Sequence, residues 1–471
     1  MRRPLKPLKF AFIALCTAAL LVAPSAQAAE RVRATELLPK ETAAFLHIPS
    51  APGLAEKFRT TAMGRMLRDP KIKPLVEDLY GSAVKAFAQV EEQLGVSLPQ
   101  ILSIPQGEFS IAVIAPDDSR PQFLVLIDAG EQLASAEKLI EKAKSALEQQ
   151  GLPKTSETVE GTKLTIYELP DREFGAATFF QKDKTVGITN NVDLAKLVLS
   201  RWNGGKDAKE SLAKNDKYNA IMSRSRGSKD QPPQITWFVD PISIVKSAAQ
   251  GNLRAQTGLA FLPVIGLDGL SGIGGSITFD SEPFDAVSHV HILIENPRTG
   301  VLKTLALKDG DLKPQAWVPA DVASYTSLHW DFQETYKTIA QLIDSFQGEG
   351  STSALIKRFV DEPIGIELEK DVIDQLAGRV THMTWIEQPI RITSMAQAVA
   401  IEVKDAKAMG ETLAKLTEKF PDRTETKKIG SVTYYVAKAP GAEDQPEATR
   451  QPQPCVAVYE GSLLITRERF L

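Results

Sequence analysis

The sequence predicts an α+β fold made of repeated modules, each with antiparallel strands packed on amphipathic helices. Three observations lead there. One order of strand-like and helix-like segments occurs twice along the 471 residues. A shortened version of that order lies between the two copies. Glycines recur at matching turn positions, which marks internal repetition.

A full first module is expected over residues 29–210. It opens at Leu38-Pro39-Lys40 and runs into a strand through Phe45 and Leu46. A helical pattern through Leu75, Leu79, Phe87, Val90 and Leu94 follows, and Gly95 ends it. A left-handed residue closes many helices, and glycine adopts that conformation without steric cost. Ser97 and Gln100 have capping-box spacing. Strands are expected at 109–115 and 122–128. An amphipathic helix comes next, with the stripe Leu133, Ala136, Leu139, Ile140, Ala143 and Leu147. Residues 161–167, 176–181 and 185–189 read as strands, and 192–201 as a closing helix.

The second full module is expected over 316–471. Val318-Pro319-Ala320-Asp321 repeats the opening turn, and Gly365 takes the place of Gly95. Strands at 380–386 and 397–403 precede the stripe Ala406, Met409, Leu413, Leu416 and Phe420. Strands at 430–436, 456–459 and 463–466 complete the match. Aligning Thr466 with Thr189 places Leu471 where the closing helix would begin. An abridged middle module is expected over 234–307. It has a strand at 235–239, Asp240 as helix N-cap, Pro241 at the first helical position, strands at 276–279 and 286–295, and a short helix at 297–307. Residues 211–233 and 308–315 are expected to be linkers. The acidic, Pro- and Gln-rich stretch 441–454 is expected to be disordered.

Residues 1–28 differ from the rest. Arg2, Arg3, Lys6 and Lys9 precede a 13-residue apolar run, and Ala26-Gln27-Ala28 has the small-x-small pattern of a cleavage site. This predicts a signal peptide cut after Ala28, and an exported protein of the periplasm or cell envelope. No later run reaches the length of a membrane span, so no transmembrane segment is expected after cleavage. The chain carries −4, and the 28 residues carry four basic groups and no acid, so the remainder carries −8. That balance repels phosphate backbones and argues against nucleic acid as a partner. One cysteine, Cys455, lies beyond the signal. Its apolar setting predicts a buried strand residue.

The opening turn at 318–323, the glycine-rich stretch 265–275 and the segment 369–379 are similar to a known family. It consists of uncharacterised exported proteins abundant in planctomycetes. The resemblance spans most of the chain beyond the signal. It implies export and the repeated α+β module, and it brings no catalytic residues.

The residues with most chemical content are His289, His291 and Glu295. Alternate strand residues share a face, so the three are expected to point the same way. His-x-His followed by a carboxylate is a metal-ligand pattern. The competing expectation is a solvent-facing polar stripe, with Val290, Ile292 and Ile294 on the opposite side. His47 and His329 lie near the opening strands and read as incidental. The S-x-x-K matches at Ser135 and Ser211 lack the accompanying K-T-G, and no G-x-S-x-G exists. Gly272-Ile273-Gly274-Gly275 precedes a strand and lacks a following Lys-Ser/Thr, so it reads as a turn rather than a nucleotide loop. No catalytic residue and no cofactor are expected. The expected function is a non-catalytic binding or structural protein, with another envelope protein or a surface polymer as partner. The alternatives are a metal-dependent enzyme using the His289 strand and a carrier of hydrophobic ligands.

Overall fold

The computed structural model describes residues 32–75, 78, 81, 97–170, 175–202, 210–227, 231–281, 283–386, 394–438 and 453–467. The signal region, most of the helical pattern through Gly95, and the stretch 441–454 lie outside or almost outside these residues. The fold is α+β, with two antiparallel sheets and helices. The chain divides into two compact units, Met1–Leu262 with Asp268–Asn296, and Pro263–Leu267 with Pro297–Leu471.

The first unit holds a ten-stranded sheet. Its strands are β1 (Thr42–Ile48), β2 (Phe109–Ile114), β3 (Gln122–Asp128), β4 (Lys154–Val159), β5 (Thr162–Glu168), β6 (Ala176–Lys182), β7 (Thr185–Thr189), β8 (Ile235–Val239), β9 (Leu270–Ser281) and β10 (Phe284–Ile294). Their spatial order is β10-β9-β8-β1-β2-β3-β7-β6-β5-β4. Helices α1 (Ala34–Leu37), α2 (Ala51–Thr60), α3 (Ala62–Met66), α4 (Leu98–Leu102), α5 (Leu133–Gln149), α6 (Val192–Trp202), α7 (Asp216–Met222) and α8 (Pro241–Ala248) connect or flank them.

Neighbouring residues on a strand point to opposite faces. Each face of the sheet therefore has its own core. One contains Phe45, Ala112, Phe238, Tyr218 and Ile221, with Ala195 and Leu199 of α6. The other contains Ile48, Phe109, Val125 and Ile127, with Ala136, Ile140 and Leu147 of α5. The expected stripe of α5 thus does face the sheet.

The second unit holds β11 (Leu307–Lys308), β12 (Ser324–Trp330), β13 (Leu376–Ile386), β14 (Met395–Val403), β15 (Thr424–Ile429), β16 (Val432–Ala437), β17 (Pro454–Tyr459) and β18 (Ser462–Arg467). The order is β11-β12-β13-β14-β18-β17-β16-β15. Its longer helices are α9 (Phe332–Gln347) and α10 (Ala406–Lys419). Seven strands take the same relative order in both sheets. They are β1-β2-β3-β7-β6-β5-β4 in the first and β12-β13-β14-β18-β17-β16-β15 in the second.

Several expectations need correction. The segment 234–307 does not build a sheet of its own. β8 pairs with β1, and β9 and β10 extend the first unit's sheet outward. The segment 211–233 is not a bare linker, because α7 places Tyr218 and Ile221 in the core. Residues 308–315 are tied down as well. Tyr325 Oη donates to the carbonyls of Leu312 and Lys313, and His329 Nε2 contacts the Asp311 carbonyl. Gly272 to Gly275 form no turn; they lie inside β9. A side chain at Gly275 would collide with the His289 carbonyl, 1.8 Å from the ideal Cβ position, so close strand approach explains the glycine. In place of the helix at 297–307 there is a 3-10 turn at Gly300–Thr304 and then β11. Gly365 does adopt a left-handed conformation, with φ +83°.

Candidate functional site

One polar row crosses the first core's face of the ten-stranded sheet. Ser110, His47, Thr236, Ser276 and His289 are successive cross-strand partners on β2, β1, β8, β9 and β10. Directly opposed residues share a face, so all five side chains rise from one side. They share it with Phe45 and Phe238, but at the polar end of that core. Sequence patterning does not reveal this row, because each strand contributes only one member.

Second in the row, His47 Nε2 lies 2.8 Å from Glu108 Oε1, with both side chains largely buried. The same oxygen accepts from the Ala34 backbone N–H at 3.2 Å. Glu108 thus fastens α1 to the start of β2, and His47 fastens Glu108. His47, expected to be incidental, is a structural partner. Ser110 stands beside this pair, which gives the composition of a nucleophile relay. Its burial, at 2 % exposed, keeps any substrate carbonyl away. Tyr218 packs edge-on against Phe45 and Phe238 at 6.1 and 5.7 Å. Burial pushes its hydroxyl up to about 12, so it stays a neutral phenol at physiological pH.

Further along the row, Thr236 Oγ1 and Ser276 Oγ, and Thr278 Oγ1 two positions along β9, are buried with no hydrogen-bond partner among the described residues. Such groups carry a cost of about 1–3 kcal/mol each when unsatisfied. Bridging water is the simplest physical remedy.

The row ends on β10, where two sequence-predicted residues meet. The rings of His289 and His291 stack 6.1 Å apart, 10° from parallel, on one face. His291 Nε2 lies 3.1 Å from the Arg224 carbonyl. A carbonyl only accepts, so Nε2 is the donor, and in the neutral ring Nδ1 keeps its lone pair. Glu295 is not brought in. A register slip between Leu293 and Ile294 separates it from the histidine row, and its carboxylate accepts from Ser271 Oγ at 3.1 Å. Among the described residues, no group of three His, Cys, Asp or Glu side chains is placed to hold a metal ion. The single-chain site expected from His289, His291 and Glu295 is therefore two histidines without the third ligand.

The expected solvent-facing histidine stripe is also reversed. His289 and His291 are half-buried, on the face carrying Leu293 and α7. Val290 and Ile292, on the other face, are 60 % and 50 % exposed. Phe284 on that same face is 63 % exposed. Of the S-x-x-K serines, Ser135 sits inside exposed α5 surface and donates to Gln132, and Ser211 is buried.

No protein-family model, curated protein or solved structure matches the chain. The resemblance to the planctomycete family accordingly rests on the three sequence segments alone. No helix among the described residues is long and apolar enough to cross a membrane.

Proposed function

We propose that this chain is an exported, non-catalytic binding protein of the periplasm or cell envelope. The observation that carries the reading is β10. It is the last strand of its sheet among the described residues, and it presents Phe284, Val290 and Ile292 to solvent. An apolar strand edge of this length is a template for another chain, and soluble proteins normally blunt such edges with Lys, Pro or a cover. From Ala286 to Ile294 the strand has no Lys, Arg, Asp, Glu or Pro. The His47–Glu108 contact, by contrast, is used to hold α1. The signal-like first 28 residues supply the export part of the reading.

A photo-crosslinking residue at Ile292, expressed in exporting cells, tests the binding. The expected result is a defined covalent adduct in the envelope or periplasmic fraction, on protein beginning at Ala29. Absence of any adduct sinks the binding reading. Recovery of uncleaved protein from the cytoplasm sinks the export reading.

A further inference from the structure

The half-site on β10 points to its own complement. We propose that a second copy of this chain adds to β10 across a two-fold axis, and that the paired strands bind one divalent transition-metal ion through four histidines. This rests on the binding reading of β10 and names its partner.

Antiparallel pairing about a two-fold perpendicular to the sheet keeps each face on its own side. Residues of equal parity must then oppose each other. With the axis at Val290, Val287 meets Leu293 of the other copy, Ser288 meets Ile292, and Val290 meets itself. His289 meets His291, and His291 meets His289. Four imidazoles gather on one face, with backbones spaced about 4.5–5.5 Å across the seam. A tetrahedral ion with ligand bonds of roughly 2.0–2.1 Å takes four such nitrogens.

Three further features fit this arrangement. The His291 Nε2–H bond to the Arg224 carbonyl leaves Nδ1 free to ligate, which is the usual outer support of a metal-bound histidine. The seam itself is uncharged: the flanking Asp285 accepts from the Ala62 N–H, and Glu295 accepts from Ser271 Oγ, so both acids already have partners within the chain. No described backbone group outside β9 pairs with the strand itself. Among the described residues a single chain brings two ligands to this face, so the site is complete only in the pair.

Light scattering on the exported protein, in EDTA and then with stoichiometric Zn2+, tests the proposal. The expected result is a doubling of mass with Zn2+ and one bound ion per two chains. His289→Ala should weaken the Zn2+-dependent association at least ~10-fold, since each lost ligand removes well over the 1.4 kcal/mol that a factor of ten represents. Val290→Lys replaces a 60 % exposed side chain, so the monomer keeps its fold, but it puts charge in the seam and should prevent pairing. Unchanged thermal unfolding of both variants in EDTA confirms that folding is intact. A single-chain mass at every Zn2+ level overturns the proposal, and so does a dimer that neither substitution affects. A crosslink from Ile292 to a different protein, with no dimer, overturns this inference while leaving the binding reading in place.

Discussion

Asp331 stands at the N-terminus of α9, and one carboxylate oxygen accepts from the Glu334 N–H at 3.0 Å while the other pairs with Lys308. The Lys308 contact first, and the cap bond second, hold its carboxyl below the usual aspartate range. A depressed folded value means stability that is present above the unfolded value, about 3.9, and is lost as pH falls through the folded one. Asp331→Asn should keep the cap and lose this acid sensitivity. Asp331→Ala should lose both and cost about 0.5–2 kcal/mol. Chemical denaturation at pH 7 and pH 3 measures each. Equal losses for Asn and Ala at pH 7 would count against capping as the main contribution. Local signals of this kind are legible in sequence. Asp240-Pro241 was readable because cap and first helical residue are adjacent, and Asp240 does accept from the Ser243 N–H at 3.0 Å. The capping box at Ser97 and Gln100 is formed too. The His47–Glu108 pair was not readable, because its members lie 61 positions apart and meet only through the pairing of β1 with β2.

At the level of elements, apolar alternation located most strands, β10 at one sheet edge included, and missed β4, β11 and β15. β3 begins and ends where the pattern of residues 122–128 places it. β4 and β15 have no counterpart in the sequence reading. Each is the last strand at one end of its sheet, and most of their side chains are exposed. Such strands need no apolar face, and their Lys, Glu and Thr residues resemble loop composition. The glycines of β9 misled in the opposite direction, since a run that usually marks a turn here lets backbones approach. Gly187 in β7 is a related case. It opposes Phe180 on β6, and an added Cβ would lie 2.1 Å from the Phe180 ring. Phe180 is 3 % exposed and has little room to move. Gly187→Ala should therefore destabilise the first unit by about 1–3 kcal/mol through overpacking. Combining it with Phe180→Ala should cost less than the sum of the two single changes, because the second removes the clash. Additive losses in denaturation midpoints would show that the ring is not what excludes the methyl group.

Over the whole molecule, the two units share a strand order but differ in what fills it. β3 and β14 hold equivalent places, each between the equivalents of β2 and β7. β3 buries Leu124, Val125, Leu126 and Ile127. β14 buries Ala396, Ala398, Ala400 and Val403. Exchanging one buried Leu for Ala commonly costs 2–5 kcal/mol, roughly. The second unit also leaves Ile339, Phe346, Phe359 and Ile465 between 42 % and 63 % exposed. Equal topology with a thinner core implies unequal resistance to opening. Regions with few buried apolar groups open locally at lower free energy. Amides in β13 and β14 should therefore exchange with deuterium through lower-energy openings than those in β2 and β3 of the same chain. Hydrogen-exchange mass spectrometry on the full chain reads both pairs in one experiment. Protection of β13 and β14 equal to that of β2 and β3 would mean that small side chains at β14 pack closely enough to offset their lost area. The succession of segments along the chain could be matched from the sequence because turns and alternation mark it, whereas their order within each sheet is set by pairing between distant strands. The difference in core depended on side-chain volume at aligned positions, which periodicity does not register.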